Sequence, residues 1–364
     1  MDLVTELKKT PFYNIHVKLG ARMVDFAGFS MPVQYDSIIK EHEAVRTKAG
    51  VFDVSHMGEF LLEGNDVIEF LQYTMINDLN LLEPSKGQYS CMCYENGTVV
   101  DDLVYYEEAL DRFRMIVNAG NIEKDFQWLN EQIRGRDVKI TNLSSKRCRL
   151  AFQGPKSDEY LQPLIDVDLS TINRFYFAHC ELSGMPIFIA RTGYTGECGF
   201  EISFDNEYAE KIWDELIKAG ASPAGLGARD SLRLEANYSL YGHEINDSIT
   251  PVEAGLSWLV KPKEGIDYIG KKVLIKQKTE GTDRIIVGLN LLDRGIIREG
   301  FKIFKDGAEI GYVTSGGYSP TLKKTIGLGL IKKQYKEEGN ELELEVRNKF
   351  LKGVVVSTPF YRNV

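Results

Sequence analysis

Two adjacent carboxylates, Asp101 and Asp102, stand in an otherwise apolar run, Val99-Val-Asp-Asp-Leu-Val-Tyr-Tyr106. Glu95-Asn96-Gly97 just before it is a hairpin signal, so the run reads as the second strand of a hairpin. Neighbours on a strand point to opposite faces. Alternation groups Asp101 with Val99, Leu103 and Tyr105, and Asp102 with Val100, Val104 and Tyr106. Each face is apolar apart from its one acid, so at least one carboxylate sits where water is scarce. Such a group is costly unless paired or hydrogen-bonded, and groups of this kind concentrate where charge or protons are handled. The competing arrangement is a bulge or strand end with both acids in water.

A second stretch is Arg191-Thr-Gly193-Tyr194-Thr-Gly196-Glu197-Cys-Gly199-Phe-Glu201. Its glycines mark an irregular loop with close backbone approach, leading into a strand with Phe200, Ile202 and Phe204 on one face. Glu201 falls on the other face. A carboxylate there can accept two parallel hydrogen bonds from an amino-pyrimidine edge while an aromatic ring stacks on the ligand. The alternative is a plain hairpin with a solvated Glu. In a third stretch, Gly225 and Gly227 precede a helix on which Arg229 and Arg233 lie four apart and share a face. That face suits a ligand carboxylate, because guanidinium groups bind carboxylates bidentately. Pairing with Asp230 and Glu235 is the competing reading.

Weaker candidates are Cys91-X-Cys93 and His56. No second Cys or His pair has metal-ligand spacing, so two reduced thiols and no metal are expected. His56 has no nearby Ser or Cys in a nucleophile context, and a turn histidine bonded to backbone is expected instead.

The elements that must position these groups are legible. Asp36-Ser37 can cap a helix running to Gly50, and Gly64-Asn65 opens another with Val67, Phe70 and Leu71 as its stripe. Asn121 can cap a third, with Ile122, Phe126, Leu129 and Ile133 on one side. Ile212, Trp213, Leu216 and Ile217 have helical spacing, with Gly220 as a stop. Phe113, Met115 and Val117 alternate as a strand, as do Leu342, Leu344 and Val346. After about residue 280 short strands are broken by turn signals, Lys305-Asp306-Gly307 and Ser315-Gly316-Gly317, which suggests a β-rich domain from Gly281. A linker is expected over Lys261 to Asp267. Helices and strands are interspersed without regular βαβ alternation, which favours an α+β fold.

Composition sets outer bounds. With 364 residues, 43% hydrophobic and 27% charged, the chain is an ordinary globular one of two or three domains. A formal net charge of -9 argues against nucleic-acid binding. The cysteines are five and irregularly spaced, which reads as reduced thiols in a cytoplasmic protein. No apolar run reaches the ~20 residues that span a bilayer, so no membrane contact is expected.

Taken together and in order, these stretches resemble the T-protein (aminomethyltransferase) family of the glycine cleavage system. The likeness runs nearly end to end: Met23-Val-Asp-Phe-Ala-Gly28, Phe52-Asp-Val-Ser-His-Met57, Asp101-Asp102-Leu, Val117-Asn118-Ala119, Phe152-Gln-Gly-Pro155, Arg191 to Glu201, Gly225 to Glu235, Leu240-Tyr-Gly242 and Pro359-Phe-Tyr-Arg362. Phe29, Cys198 and His243 depart from the residues usual beside these motifs.

The resemblance implies three domains in a cloverleaf around a central folate cavity, ending in a β-barrel or jelly-roll domain. Expected divisions are 1–51 with 142–270 for the folate-binding domain, 52–141 for an inserted ferredoxin-like one, and 281–364 for the barrel. It implies transfer of a methylene from aminomethyl-dihydrolipoyl H protein to tetrahydrofolate, giving 5,10-methylenetetrahydrofolate and ammonia. Asp101 and Asp102 match the catalytic acids, and Asp101 is preferred. Glu201 resembles the pterin-recognising carboxylate, with Tyr194 and Tyr89 as aromatic contacts. Met57, Asn118, Arg229 and Tyr238 match further ligand positions, and Arg298 and Arg362 are candidates from the third domain and tail. Another folate-dependent demethylase, or a folate-binding protein of the same superfamily, is the alternative.

Overall fold

The computed structural model describes residues 6–262, 265–347 and 349–363. Its helix and strand mixture is the expected α+β class, built on two large open sheets, a two-stranded one (Arg22–Phe26 with Phe29–Gln34) and a closed barrel. The six-stranded sheet runs, edge to edge, Phe177–Leu182, Met185–Ala190, Gly199–Asp205, Arg147–Gln153, Gly50–Asp53 and Ser222–Pro223. The five-stranded sheet runs Gly87–Cys93, Val99–Ala109, Arg112–Val117, Gly58–Glu63 and Lys139–Asn142. Its strands all fall between the two sequence segments that make the larger sheet. The strand Gly50–Asp53 straddles the division expected at residue 51, because it pairs with Arg147–Gln153.

Each sheet buries the alternating apolar positions read from the sequence. Phe200, Ile202 and Phe204 are fully buried and meet Ile212, Trp213 and Leu216 from the helix Ala209–Lys218. Gly220, at φ +111°, follows the end of that helix as expected. Phe113, Met115 and Val117 pack with Phe70 and Leu71 of the helix Val67–Thr74. The barrel is Arg284–Leu291, Lys324–Lys332, Ala308–Ser319, Lys302–Lys305, Glu341–Val346 and Lys349–Val356, in order of pairing. Its core holds Leu289, Ile303, Val313 and Leu344. Among the described residues no helix is long and apolar enough to cross a membrane.

Two expectations need correction. The helix after Ser37 covers Ile38–Thr47 and stops short of Gly50, which opens the next strand. Ser315-Gly316-Gly317 is no turn: it lies inside the strand Ala308–Ser319, beside a bulge between Val313 and Ser315. A Cβ on Gly316 would stand 2.8 Å from Ile297 Cγ1, so the glycine serves close packing here. Of the expected linker, Lys263 and Glu264 lie outside the described residues, and the rest carries no regular structure.

Buried ion pairs join the sheets. Glu59 of the five-stranded sheet accepts from Arg149 (3.0 Å) and Ser203 (2.7 Å) of the six-stranded one. The helix Leu226–Glu235 ties the segment that carries Arg46 to the barrel. Arg233 donates to Ser315 Oγ at 2.8 Å, and Glu235 takes Thr321 Oγ1 at 2.8 Å and Arg46 Nη2 at 2.8 Å. Burial alone would raise the Glu235 pKa, but His42, Ser319 and Arg46 outweigh it and hold the carboxylate at about 2. The folded value is below the unfolded one, so this stability is present above about pH 4.5 and is lost as pH falls toward 2. Glu235→Ala should cost about 1–3 kcal/mol in urea unfolding at neutral pH, since it removes the acceptor of Ser319 and Thr321 and one of the two carboxylates that pair with Arg46, the other being Glu197 at 2.9 Å. A loss under about 1 kcal/mol would show the tie to be unimportant.

Candidate active site

Asp101 and Asp102 lie on the strand Val99–Ala109, flanked by Gly87–Cys93 and Arg112–Val117. A bulge between Met92 and Cys93 breaks the alternation at its start. Val100 therefore packs with Leu103 and Tyr105, while Val99 packs with Cys91 and Cys93, the reverse of simple alternation. Beyond the bulge the faces are as expected. Asp101 pairs opposite Met92 on the face of Leu103 and Tyr105, and Asp102 opposite Cys91 on the face of Tyr106.

The two acids meet different surroundings. Asp101 is fully buried. It accepts from the Asn118 backbone N–H (3.1 Å), Asn118 Nδ2 (2.9 Å) and Asn121 Nδ2 (2.6 Å). Asp102 keeps partial solvent contact. One of its oxygens accepts from Asn118 Nδ2 at 2.8 Å and the other from Tyr89 Oη at 2.8 Å. Burial and then the charge on Asp101 push its pKa up to about 7, against the pull of the Tyr89 and Asn118 hydrogen bonds. The two acids thus differ: Asp101 is enclosed, while Asp102 is partly exposed and has its proton affinity near neutrality.

The Gly-rich loop brings Tyr194 to the same place. Its ring stacks on Tyr238 at 5.8 Å, the Arg229 guanidinium lies over it at 4.5 Å, and its hydroxyl donates to the Ser239 carbonyl. Asp102 and Tyr89 feel the Tyr194 hydroxyl electrostatically, and Arg229 feels Glu201. Glu201 accepts from Thr192 Oγ1 at 2.6 Å through one oxygen only. Asp102, Tyr89, Asn118, Met57, Tyr194, Glu201, Arg229 and Tyr238 all keep partial exposure.

The two arginines on the helix part company. Arg233 is spent on internal pairs, with Asp230 at 2.8 Å and Glu244 at 2.9 Å. Glu235 pairs instead with Arg46. Arg229 makes no ion pair with any described carboxylate, and burial lowers its pKa. An unpaired guanidinium beside a carboxylate and two tyrosines is a ready partner for an anionic ligand group.

Comparison with known proteins now bears on this arrangement. The GCVT N-terminal domain model matches residues 12–264, and the glycine cleavage T-protein C-terminal barrel domain model matches residues 284–362. The chain belongs to the glycine cleavage T-protein family. A Geobacillus sp. (strain WCH70) relative named aminomethyltransferase is 50% identical over 361 residues, covering 98% of this chain and 99% of the relative. One from Caldanaerobacter subterraneus, with the same name, is 49% identical over 366 residues, with 99% and 98% coverage. The crystal structure of the glycine cleavage system aminomethyltransferase T from Bartonella henselae superposes with a TM-score of 0.92 at 35% identity, over 98% of each chain.

Within this T-protein fold not every expected residue joins the cluster. Arg298 is exposed and donates to the Gly316 carbonyl at 3.0 Å; Arg362 is exposed in the C-terminal tail. Met57 packs between the Phe52 and Tyr106 clusters. His56 is not the backbone-bonded turn histidine expected. It is buried against Phe26 at 5.3 Å, its Nδ1 finds no partner among the described residues, and burial lowers its pKa to about 4. The apolar packing leaves no backbone carbonyl for it. Arg191 pins the loop through Asp158 at 2.6 Å. Sequence reading passed over Trp258, which stacks on Tyr89 at 6.1 Å, and gave Asn121 only a capping role, although its side chain serves Asp101.

Tyr89→Phe removes a donor to the ionised form of Asp102, so the titration of that carboxyl should move upward from about 7 by about one unit. Carbon-13 NMR of labelled aspartate reads the shift directly; an unmoved or lowered value would contradict the hydrogen bond's role.

Proposed function

We infer that this T-protein family member is the aminomethyltransferase of the glycine cleavage system, and that Asp102 is its catalytic carboxylate. The observation that carries the assignment of Asp102 is its place: a reachable acid beside Asn118 and Tyr89, with a proton affinity set near neutrality. Family membership implies tetrahydrofolate as the acceptor substrate and lipoylated H protein as the donor. The chemistry of the donor set fits such a substrate. Glu201 has an oxygen beyond its Thr192 bond for an amino-pyrimidine edge, and Arg229 offers an unpaired cation to a glutamate carboxylate.

The reaction moves one carbon. Ammonia leaves the aminomethyl group with one proton, positive charge builds on the methylene, and the pterin N5 attacks that carbon. The C–S bond then breaks to release the lipoyl thiolate, N10 closes on the same carbon, and the second N–H proton goes to the thiolate. An ionised Asp102 stabilises the developing cation and orients the folate nitrogens. It then takes a proton as the folate amine becomes substituted. Tyr89 and Asn118 hold its oxygens in place. Arg298 and Arg362 remain proposed contacts to the folate tail or the incoming H protein, from the barrel rim and the C-terminal tail. We also assign the chain to the cytoplasm, on its free cysteines.

The deciding assay mixes aminomethyl-loaded H protein with tetrahydrofolate and follows ammonia. Asp102→Asn should lower turnover by about 10²–10⁴-fold, with tetrahydrofolate affinity by calorimetry changed only a few-fold. Because the ionised form acts, the wild-type rate should fall as pH drops through about 7. Full activity in Asp102→Asn would refute the assignment.

A further inference from the structure

The helix Ile122–Gln132 carries an acid in the middle of its apolar stripe. Asp125 lies between Ile122 and Leu129, is fully buried, and neither of its oxygens has a hydrogen-bond donor among the described residues. Unsatisfied buried carboxylate oxygens are costly, and a proton is the simplest remedy. Four residues earlier, at the cap of the same helix, Asn121 Nδ2 bonds the Asp101 carboxylate at 2.6 Å, which sets that carboxylate against the helix face that carries Asp125. Two carboxylates in contact hold together only when one carries a proton.

Other charges around the pair are accounted for. Lys124, the neighbour on the helix, donates to the Val100 carbonyl and to Tyr241 Oη (2.8 Å). Tyr94, Tyr241 and Asp247 complete the surroundings, with Asp102 beyond Asp101. None of these donates to Asp125.

We propose that Asp125 is a positioning residue of the catalytic centre: as a neutral acid it donates its proton to Asp101, and through Asp101 it sets the charge that Asp102 feels. Asp125 itself touches no substrate. With Asn118 and Asn121 it gives Asp101 a full set of donors, so that the charge next to Asp102 is fixed in place and partly offset. Burial and the Asp101 charge raise the Asp125 pKa to about 11, so the proton stays through the working range. This inference rests on Asp102 being the catalytic carboxylate, but its first test does not.

That test is an infrared difference spectrum, wild type minus Asp125→Asn, at about pH 9, above the Asp102 value and below the Asp125 value. A protonated-carboxyl stretch belonging to Asp125 is expected, fading as pH rises through about 11. Absence of that band overturns the proposal, whatever the activity of the enzyme. The second test is the pH profile of ammonia release. Asp125→Leu removes the donor, and the acid limb should move up by about one unit. Asp125→Asn restores a donor and should restore the wild-type limb. A merely structural role would lower stability or rate and leave the limb in place, and that result would also overturn the proposal. If the band is present but no variant or wild type shows an acid limb, the assignment of Asp102 fails and the buried proton stands.

Discussion

Two neighbouring carboxylates on one strand repel each other, and their surroundings must hold them together. Asn118 carries most of that load. Its side-chain amide donates to both Asp101 and Asp102, and its backbone N–H to Asp101. It stands directly after the strand Arg112–Val117, where the chain turns into the helix that supplies Asn121 and Asp125. One junction thus provides the donors that make the pair tolerable. Burial and what remains of the repulsion raise the proton affinity of Asp102, the partly exposed member.

The rest of the fold keeps that pair dry without closing it off. Three bodies of structure meet around it, and their contacts combine apolar clusters, such as Tyr106 and Ile116 with Phe177 and Phe188, with buried ion pairs. Glu59 with Arg149, and Glu235 with Arg46, are fully desolvated pairs from distant segments. Such pairs contribute little net stability beside an apolar replacement, but they tolerate only one mutual placement. That suits a site assembled from several segments. Tyr194 arrives from a glycine loop, Arg229 from the helix that touches the barrel, and Tyr89 from the strand beside Asp102.

Much of this was legible beforehand, because short-range rules governed it. The hairpin at Glu95-Asn96-Gly97, the stripe of Ile212, Trp213 and Leu216, and the alternation of Phe200, Ile202 and Phe204 depend on local spacing and appear where expected. Asp125 shows the limit. It occupied a stripe position in plain view, and the acid within an apolar helix face was a usable signal. Its partner, however, lies on another element, and no pattern along the helix names it.

By itself the sequence determined the element types, the barrel at the C-terminal end, the family, and the presence of two acids on opposite faces of an apolar strand. Those follow from periodicity, turn chemistry and motif order. Only the tertiary structure decided which acid is reached. Alternation tells which side chains share a face, but whether a face is covered depends on segments far away in the chain. Here the helix after Asn121 covers Asp101, and the Asp102 face is left partly open. The same logic freed Arg229: its helix neighbour Arg233 was claimed by Glu244 and Ser315, which the chain delivers from later segments.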